Sequence, residues 1–345
     1  MAVRMKDIAR ELGVSVVTVS KVLRNHSDIS EATRRRVLKL IKDRDYQPNL
    51  AARALVTGRT FTVGLVVPDL VHPFFGELAK GLSSFLRKRD YSLILASSEE
   101  DPDLEAQEIA RLLARRLDAI VIASAQTSVA SFRRIEQQKT PYVLVDRRFA
   151  GLEANFAGVD DEAVGELATE HLISVGCRRI AHIRGPRIST AAGRLEGYRR
   201  ALARNGLIPE PGYVPDITSG DDDSEARGRK AMRKLLDREP RPDGIFCYND
   251  PTAMGAMNEI LDAGLRIPQD IAVIGCGNVH YDASLRVPLS SIDQRSAALG
   301  ERAARLALDL IESKIRRPKT ILLEPKLVAR ASTRRDPVEA AAASK

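Results

Sequence analysis

The chain has 345 residues with a formal net charge of +8, too long for one ordinary core of roughly 100–200 residues, so two or three compact units are expected. No run of about eighteen apolar residues exists to span a bilayer, and the opening stretch MAVRMKDIARELG is broken by charges every few residues, so neither a membrane protein nor a secretory signal is expected and the chain reads as cytoplasmic. Cys177, Cys247 and Cys276 are odd in number, far apart and set in apolar stretches, which reads as reduced core residues rather than a disulfide frame.

Charge is unevenly distributed. Residues 1–60 hold 13 Lys or Arg against 6 Asp or Glu, leaving 41 against 40 for the remainder. A compact basic segment on a balanced protein is the footprint of a polyanion binder, because phosphate contacts release condensed counterions. Charge alone also permits RNA, a membrane surface or a merely solvated face.

The local pattern separates these readings. Lys6 to Leu12 carries Ile8, Ala9 and Leu12 at helical spacing, and Gly13 stops that helix where a tight turn needs a permissive backbone. Ser15 can cap a second helix, Val16 to Arg24, with Val19, Val22 and Leu23 inward. Ser30 can cap a third, Glu31 to Arg44, whose Val37, Leu40 and Ile41 complete a small three-helix core. Two helices joined by a short turn and backed by a third predict a helix-turn-helix unit.

The second helix of such a unit enters the major groove, so its outward residues Val16, Val17, Ser20 and Lys21 are candidates for reading base edges. Valine offers only methyl groups, which suits thymine, whereas Lys21 can donate to guanine acceptors. Ser15, Thr18 and Asn25 suit phosphate contacts. Core packing is the alternative for Val16 and Val17, but Val19 and Val22 already fill the inner face.

Residues 46–60, YQPNLAARALVTGRT, combine a helix-starting Pro48-Asn49 with a short Ala-rich stretch ended by Gly58. A helix of about nine residues does not hold alone in water. Either this is a plain linker, or it folds on DNA with Asn49 and Arg53 meeting the duplex and Leu55 wedging between base steps. Periodicity does not choose between them.

MKDIARELGVSVVTVSKVLRN, then PNLAARALVTGRT, then TVGLVVPDLVHPFFGEL together resemble the LacI/GalR family of bacterial transcriptional regulators, over essentially the whole chain. The resemblance implies that the second helix reads the major groove, that the linker forms a hinge helix with Leu55 in the minor groove, and that homodimers bind a near-palindromic double-stranded operator.

From Phe61 onward, strand-like runs (Thr62 to Val67, Ser92 to Ala96, Ala119 to Ala123, Tyr142 to Val145) alternate with amphipathic stretches such as Phe74 to Arg89 and Leu104 to Arg115. A second series follows, with strands near Ile180 to Ile183, Ile245 to Cys247 and Ile271 to Ile274, and helices over Glu162 to Val175, Leu195 to Asn205 and Thr252 to Ala263. The predicted fold class is α/β: an N-terminal helix-turn-helix head plus a two-lobed, doubly wound parallel α/β sensor core of the periplasmic-binding-protein-like kind. The expected domains are a head over 1–47, a hinge over 48–60, a core over 61–335 and a flexible tail over 336–345. Segment exchange implied by the family assigns 61–159 and 291–321 to one lobe and 160–290 and 322–335 to the other.

Strand ends facing a common cleft are where open α/β sheets bind ligands. The resemblance implies effector contacts from His72, Phe74, Phe75, Asp146, Arg147, Asn249 and Gln294; equally, one phenylalanine is core and the other cleft. Three positions depart from the family. Where sugar-sensing relatives carry S-T-A-R-E-R-L-E-G, Ala192 replaces the effector-binding arginine, and where they carry V-G-F-D, Gly277 replaces the hydroxyl-binding aspartate. The aromatic that often follows a Gly-Asp pair gives way to the acidic run Asp221 to Asp223. These departures imply a ligand other than a neutral monosaccharide held in the usual way, or none.

Enzyme signatures are weak. Gly275-Cys276-Gly277-Asn278 after a strand has the start of a dinucleotide-binding turn, but the third glycine is missing and no helix is predicted to follow. There is no G-x-S-x-G elbow, phosphate loop or H-E-x-x-H helix, and Asp221 to Asp223 lack the spacing of a calcium loop. No catalytic residue, metal or cofactor is expected. Three functions remain: a dimeric repressor or activator switched by a small-molecule effector, the same regulator controlled by concentration or a protein partner, and a sugar-binding transport protein.

Overall fold

The computed structural model describes residues 3–23, 26–46, 54, 57–126, 129–149, 151–215, 223–315 and 317–335. The chain divides into two compact units, Met1–Thr60 and Phe61–Lys345.

In the first unit, α1 (Met5–Leu12), α2 (Val16–Leu23) and α3 (Glu31–Asp43) surround Ile8, Ala9, Val19, Val22, Val37 and Tyr46. Gly13 ends α1 in the left-handed conformation, φ 65°, which an L side chain enters only at a cost. Ser30 caps α3 by accepting from the Thr33 backbone N–H at 3.3 Å. Tyr46, near the end of the head, closes this core. Each fully buried valine here contributes about 1.5–3 kcal/mol, a large share of the stability of so small a core.

The second unit holds two sheets. The first is all parallel, in the order β10 (Thr320–Leu323), β5 (Asn155–Val159), β4 (Tyr142–Val145), β3 (Ala119–Ile122), β1 (Thr62–Val67), β2 (Ser92–Ser97). The second runs β11 (Lys326–Val328), β9 (Ser290–Asp293), β8 (Ala272–Cys276), β7 (Gly244–Cys247), β6 (Ile180–Ile183), with β11 antiparallel to β9 and the rest parallel. Helices α4 (Pro73–Arg87), α5 (Pro102–Ala114), α6 (Ala130–Gln137) and α11 (Ser296–Ile311) accompany the first sheet; α7 (Asp161–Ser174), α8 (Ser189–Arg204), α9 (Ser224–Leu236) and α10 (Asp250–Asp262) accompany the second. Central strands such as β1, β3, β7 and β8 are apolar along their length and buried on both faces, as parallel sheets covered by helices require.

Helices pair closely through reciprocal glycines: Gly81 and Gly300 between α4 and α11, Gly165 and Gly197 between α7 and α8, Gly228 and Gly255 between α9 and α10. At each of the six, a methyl group would collide with a carbonyl oxygen of the facing helix.

The chain passes between lobes three times: after β5, after β9 and between β10 and β11. Two of these passages correct the expected boundaries. Ser291 to Asp293 stay in the second lobe, because Ser291 and Ile292 pair with Gly275 and Cys276 of β8 and Asp293 with Lys326 of β11. Leu322 and Leu323 stay in the first, because β10 pairs with β5 through Val159.

Candidate DNA interface and interlobe cleft

In the head, the α2 residues expected to read DNA separate cleanly from those that hold the core. Val19 and Val22 are buried, whereas Val16 and Val17 are 45% and 61% exposed at the start of the helix. Exposing two adjacent β-branched residues costs apolar hydration with no return in folding. Ser15 Oγ accepts from the Thr18 backbone N–H at 3.0 Å and lies 2.9 Å from Thr18 Oγ1, so Ser15 caps α2 while one O–H of the pair is left to donate outward. Lys21 forms an ion pair with Asp28, whose carboxyl is held below its usual range by that hydrogen bond. Ser20 is half-buried. Asn25, Asn49, Arg53 and Leu55 lie outside the described residues. Arg36 donates to the Leu12 carbonyl at 3.3 Å and Arg44 pairs with Glu11 at 2.8 Å, so part of the basic surplus of the head ties α3 to α1.

The cleft lies where the strand ends of the two lobes meet. Asp146, just past β4, has φ 67°, and this left-handed turn redirects the backbone so that Arg147 reverses into the gap. Arg147 is 6% exposed at its side chain; its guanidinium donates to Glu100 Oε2 at 2.8 Å and Oε1 at 2.6 Å, and to the Ser124 carbonyl at 3.1 Å. Burial raises the carboxyl of Asp146, and Asp146 stands 3.9 Å from Arg147 Nε, beyond hydrogen-bond range.

Hydrogen-bonding contacts join the lobes across the gap. Asn249 Nδ2 lies 3.0 Å from His72 Nε2, and the Arg148 backbone N–H donates to Ser189 Oγ at 2.8 Å. Burial lowers His72 to about 4, so its ring is neutral near pH 7. The His72 side chain also caps α4, accepting from the Phe74 backbone N–H at 3.3 Å.

A cavity of about 570 Å³ opens beside these contacts, with Arg147, Arg148, Arg184, Arg187, Gln126 and Ser189 among its polar lining and Phe149, Ile188 and Leu195 among its apolar lining. That size suits a small ligand. Of the seven residues expected to meet an effector, Arg147 alone lines it. Phe74 and Phe75 are both buried in the core of the first lobe, edge to face at 5.0 Å. Asn249 caps α10 by accepting from the Thr252 backbone N–H at 2.9 Å, and Gln294 is buried after β9. Arg148, Arg184 and Arg187 were missed, although each lies within four residues of the end of a strand, β4 or β6.

The departures from the family pattern have local causes. Ala192 lines the cavity. Arg194, two residues on, donates to Asp161 Oδ1 at 3.0 Å and to the Tyr248 carbonyl at 2.6 Å, binding α8 to α7 and to the end of β7. Gly277 has φ 140°, and a Cβ there would lie 2.7 Å from Asp250 Oδ2. Asp250 accepts from Ser291 Oγ at 2.6 Å and from the Val279 backbone N–H at 3.2 Å; it and Asp282 are fully buried together, and both carboxyls are raised by burial. Downstream of Gly277 a short 3₁₀ turn, Asp282–Ser284, occupies the place where a dinucleotide fold would start a helix. In the acidic run, Asp223 caps α9 by accepting from the Ala226 backbone N–H at 2.8 Å; Asp221 and Asp222 lie outside the described residues. No group of three or more His, Cys, Asp or Glu stands as a metal site among the described residues, and none of their helices is long and apolar enough to cross a membrane.

A helix-turn-helix head followed by two sheets, parallel but for β11, around a cleft defines the class of DNA-binding regulators that carry a periplasmic-binding-protein-like sensor. The family described as bacterial regulatory proteins, lacI family, matches residues 4–49, and the periplasmic binding protein-like domain matches residues 169–333. The ribose operon repressor of Escherichia coli is 35% identical over 336 residues, spanning 95% of this chain and 99% of that protein. Among solved structures, the lac repressor dimer bound to operator and the anti-inducer ONPF superposes with a TM-score of 0.82 at 25% identity, covering 96% of this chain and 99% of that one. The transcriptional regulator CelR in complex with cellobiose superposes with a TM-score of 0.73 at 29% identity, with the same coverage. This chain belongs to the LacI family of bacterial transcriptional regulators.

Proposed function

We propose that the chain is a cytoplasmic, non-enzymatic repressor that binds a near-palindromic operator as a homodimer and is switched by a small-molecule effector in the interlobe cleft. The observation that carries the DNA reading is the exposure of Val16 and Val17 at the start of α2, where two methyl-bearing side chains are placed to meet thymine. Ser20 and Lys21 extend that readout, Lys21 leaving Asp28 to do so. Ser15, Thr18 and Asn25 contact phosphates. Asn49, Arg53 and Leu55 form the hinge contact, with Leu55 in the minor groove.

In the sensor, Arg147 contacts the effector directly, while His72 and Asn249 report lobe closure through their mutual contact. An effector that binds one lobe arrangement better than the other shifts the population, and with it operator affinity. Phe74, Phe75, Asp146 and Gln294 support this site from behind.

Selection of bound DNA from a random pool is expected to recover a near-palindrome, and Leu55→Ala is expected to weaken binding to it about 10-fold or more, with an unchanged melting temperature. No enriched sequence at moderate salt removes the regulator reading, and unchanged affinity of the variant removes the wedge. A second reading, control by concentration or a protein partner, is favoured by Ala192 and Gly277 standing where sugar-sensing relatives hold Arg and Asp.

A further inference from the structure

Charge in the cleft is one-sided. Four arginines, Arg147, Arg148, Arg184 and Arg187, line the cavity, and no Asp or Glu is among its lining residues. Glu100 answers two of the Arg147 nitrogens and Asp161 answers Arg194, but neither carboxylate is among the lining residues. Glu105, near the Ser124 and Ala125 end, is fully buried, and burial raises its carboxyl. Arg148 lies over the Phe156 ring at 4.2 Å, a contact that orients the guanidinium without neutralising it.

Two further features point the same way. The first turn of α8, a helix of 16 residues, enters the cavity wall through Ile188, Ser189, Ala191 and Ala192, and its N-terminus has no side-chain cap. Free backbone N–H groups and the helix dipole at such an end favour an anion. Independently, Arg147 Nε is buried with no hydrogen-bond acceptor, and an unmade hydrogen bond on a buried charged group is costly. Ala192 leaves this turn open, and the cations of the cavity come from the loops after β4 and β6.

Building on the effector reading above, we propose that the cleft binds a small anionic metabolite, its phosphate or carboxylate oxygens held by Arg147, Arg148, Arg187 and the N-terminus of α8, with Phe149 and Leu195 against its carbon skeleton. Planar guanidinium forks match such oxyanions two bonds at a time. A neutral sugar leaves Arg148 and Arg187 without a counter-charge.

The test is thermal unfolding and calorimetric titration of the full chain with ribose, ribose 5-phosphate, inorganic phosphate and citrate at constant ionic strength. Ribose 5-phosphate or citrate is expected to raise the melting temperature by about 5 °C at roughly 100 times its Kd, with ribose giving no rise. A response to ribose 5-phosphate identifies a phosphate ester and one to citrate a carboxylate. Arg148→Ala with Arg187→Ala, both exposed residues, is expected to weaken the anion at least 10-fold while the unliganded melting temperature stays within 2 °C of wild type; Arg187→Lys is expected to retain most of the binding. Because the head is also basic, an anion response undiminished in the double variant belongs to the head and overturns the inference. So does stabilisation by ribose equal to that by ribose 5-phosphate, or no response to any anion at 10 mM. Operator binding, followed in parallel, separates the two claims: a protein that still selects its operator but ignores anions loses this inference alone.

Discussion

His182 sits on β6, the last strand of the second sheet, with no exposed surface, stacked on Phe246 at 4.5 Å and on Tyr198 at 5.4 Å, its Nδ1 3.0 Å from the Phe246 carbonyl oxygen. Burial lowers its protonation to about 3 from an ordinary 6.5. Below about 6.5 the unfolded chain takes up a proton that the folded chain refuses, so this residue's contribution to stability is lost as pH falls, by about 1.4 kcal/mol per pH unit. His182→Phe keeps the stack and removes the titration. Although it costs stability at pH 7.5, its deficit against wild type is expected to shrink by about 2 kcal/mol on going to pH 5, as read from urea unfolding. A deficit constant with pH means His182 is not the titrating group. Single residues of this kind were only partly legible beforehand. Val16 and Val17 could be told from Val19 and Val22 by period alone, but the arginines of the cleft could not, because Arg147, Arg148, Arg184 and Arg187 carry the same signal as any solvated charge at a strand end.

Among helices, the reciprocal glycines have a consequence opposite to propensity. Alanine is the better helix former by about 1 kcal/mol, so Gly76→Ala on the open face of α4, where an added methyl meets nothing within 4 Å, is expected to stabilise by about 0.5–1 kcal/mol. Gly197→Ala, facing the Glu162 carbonyl of α7, is expected to destabilise by about 3 kcal/mol, since a backbone cannot move aside as a side chain can. Chemical unfolding of both variants checks the pair of signs; a stabilised Gly197→Ala contradicts the close approach. Elements with a strong pattern, such as Thr62–Val67, Tyr142–Val145 and Ile180–Ile183, agree with the sequence reading to the residue. Those missed share a weak one. Asn155–Val159 reads NFAGV and draws its burial from neighbours on both sides, and Ser224–Leu236 buries only Gly228, Ala231, Met232 and Leu235 along a highly charged stretch. Pairing partners far away in the chain, not local preference, decide such segments.

The whole core is bound together by its three passages between lobes. Within the last stretch of the described chain, β10 closes the open edge of β5 in one sheet, and β11 covers β9 in the other. Ser332 then anchors to the Val273 carbonyl at 2.6 Å and to the Ser290 backbone N–H at 2.8 Å. A chain stopped after Lys319 therefore loses support in both lobes. Limited proteolysis of that truncated protein is expected to cut within 61–159 and within 160–290 at comparable rates; a lobe that survives intact contradicts this coupling.

The same threading bears on synthesis. While the chain leaves the ribosome, the edge of β5 stays bare until Thr320–Leu323 emerge, and that of β9 until Lys326–Val328 follow. An unpaired strand edge is a template for other chains. The β5 edge thus stays bare through nearly half of the chain's synthesis, and the β9 edge only through a short late stretch of it. Both are sealed within nine residues of one another, so completion of the two lobes is nearly simultaneous.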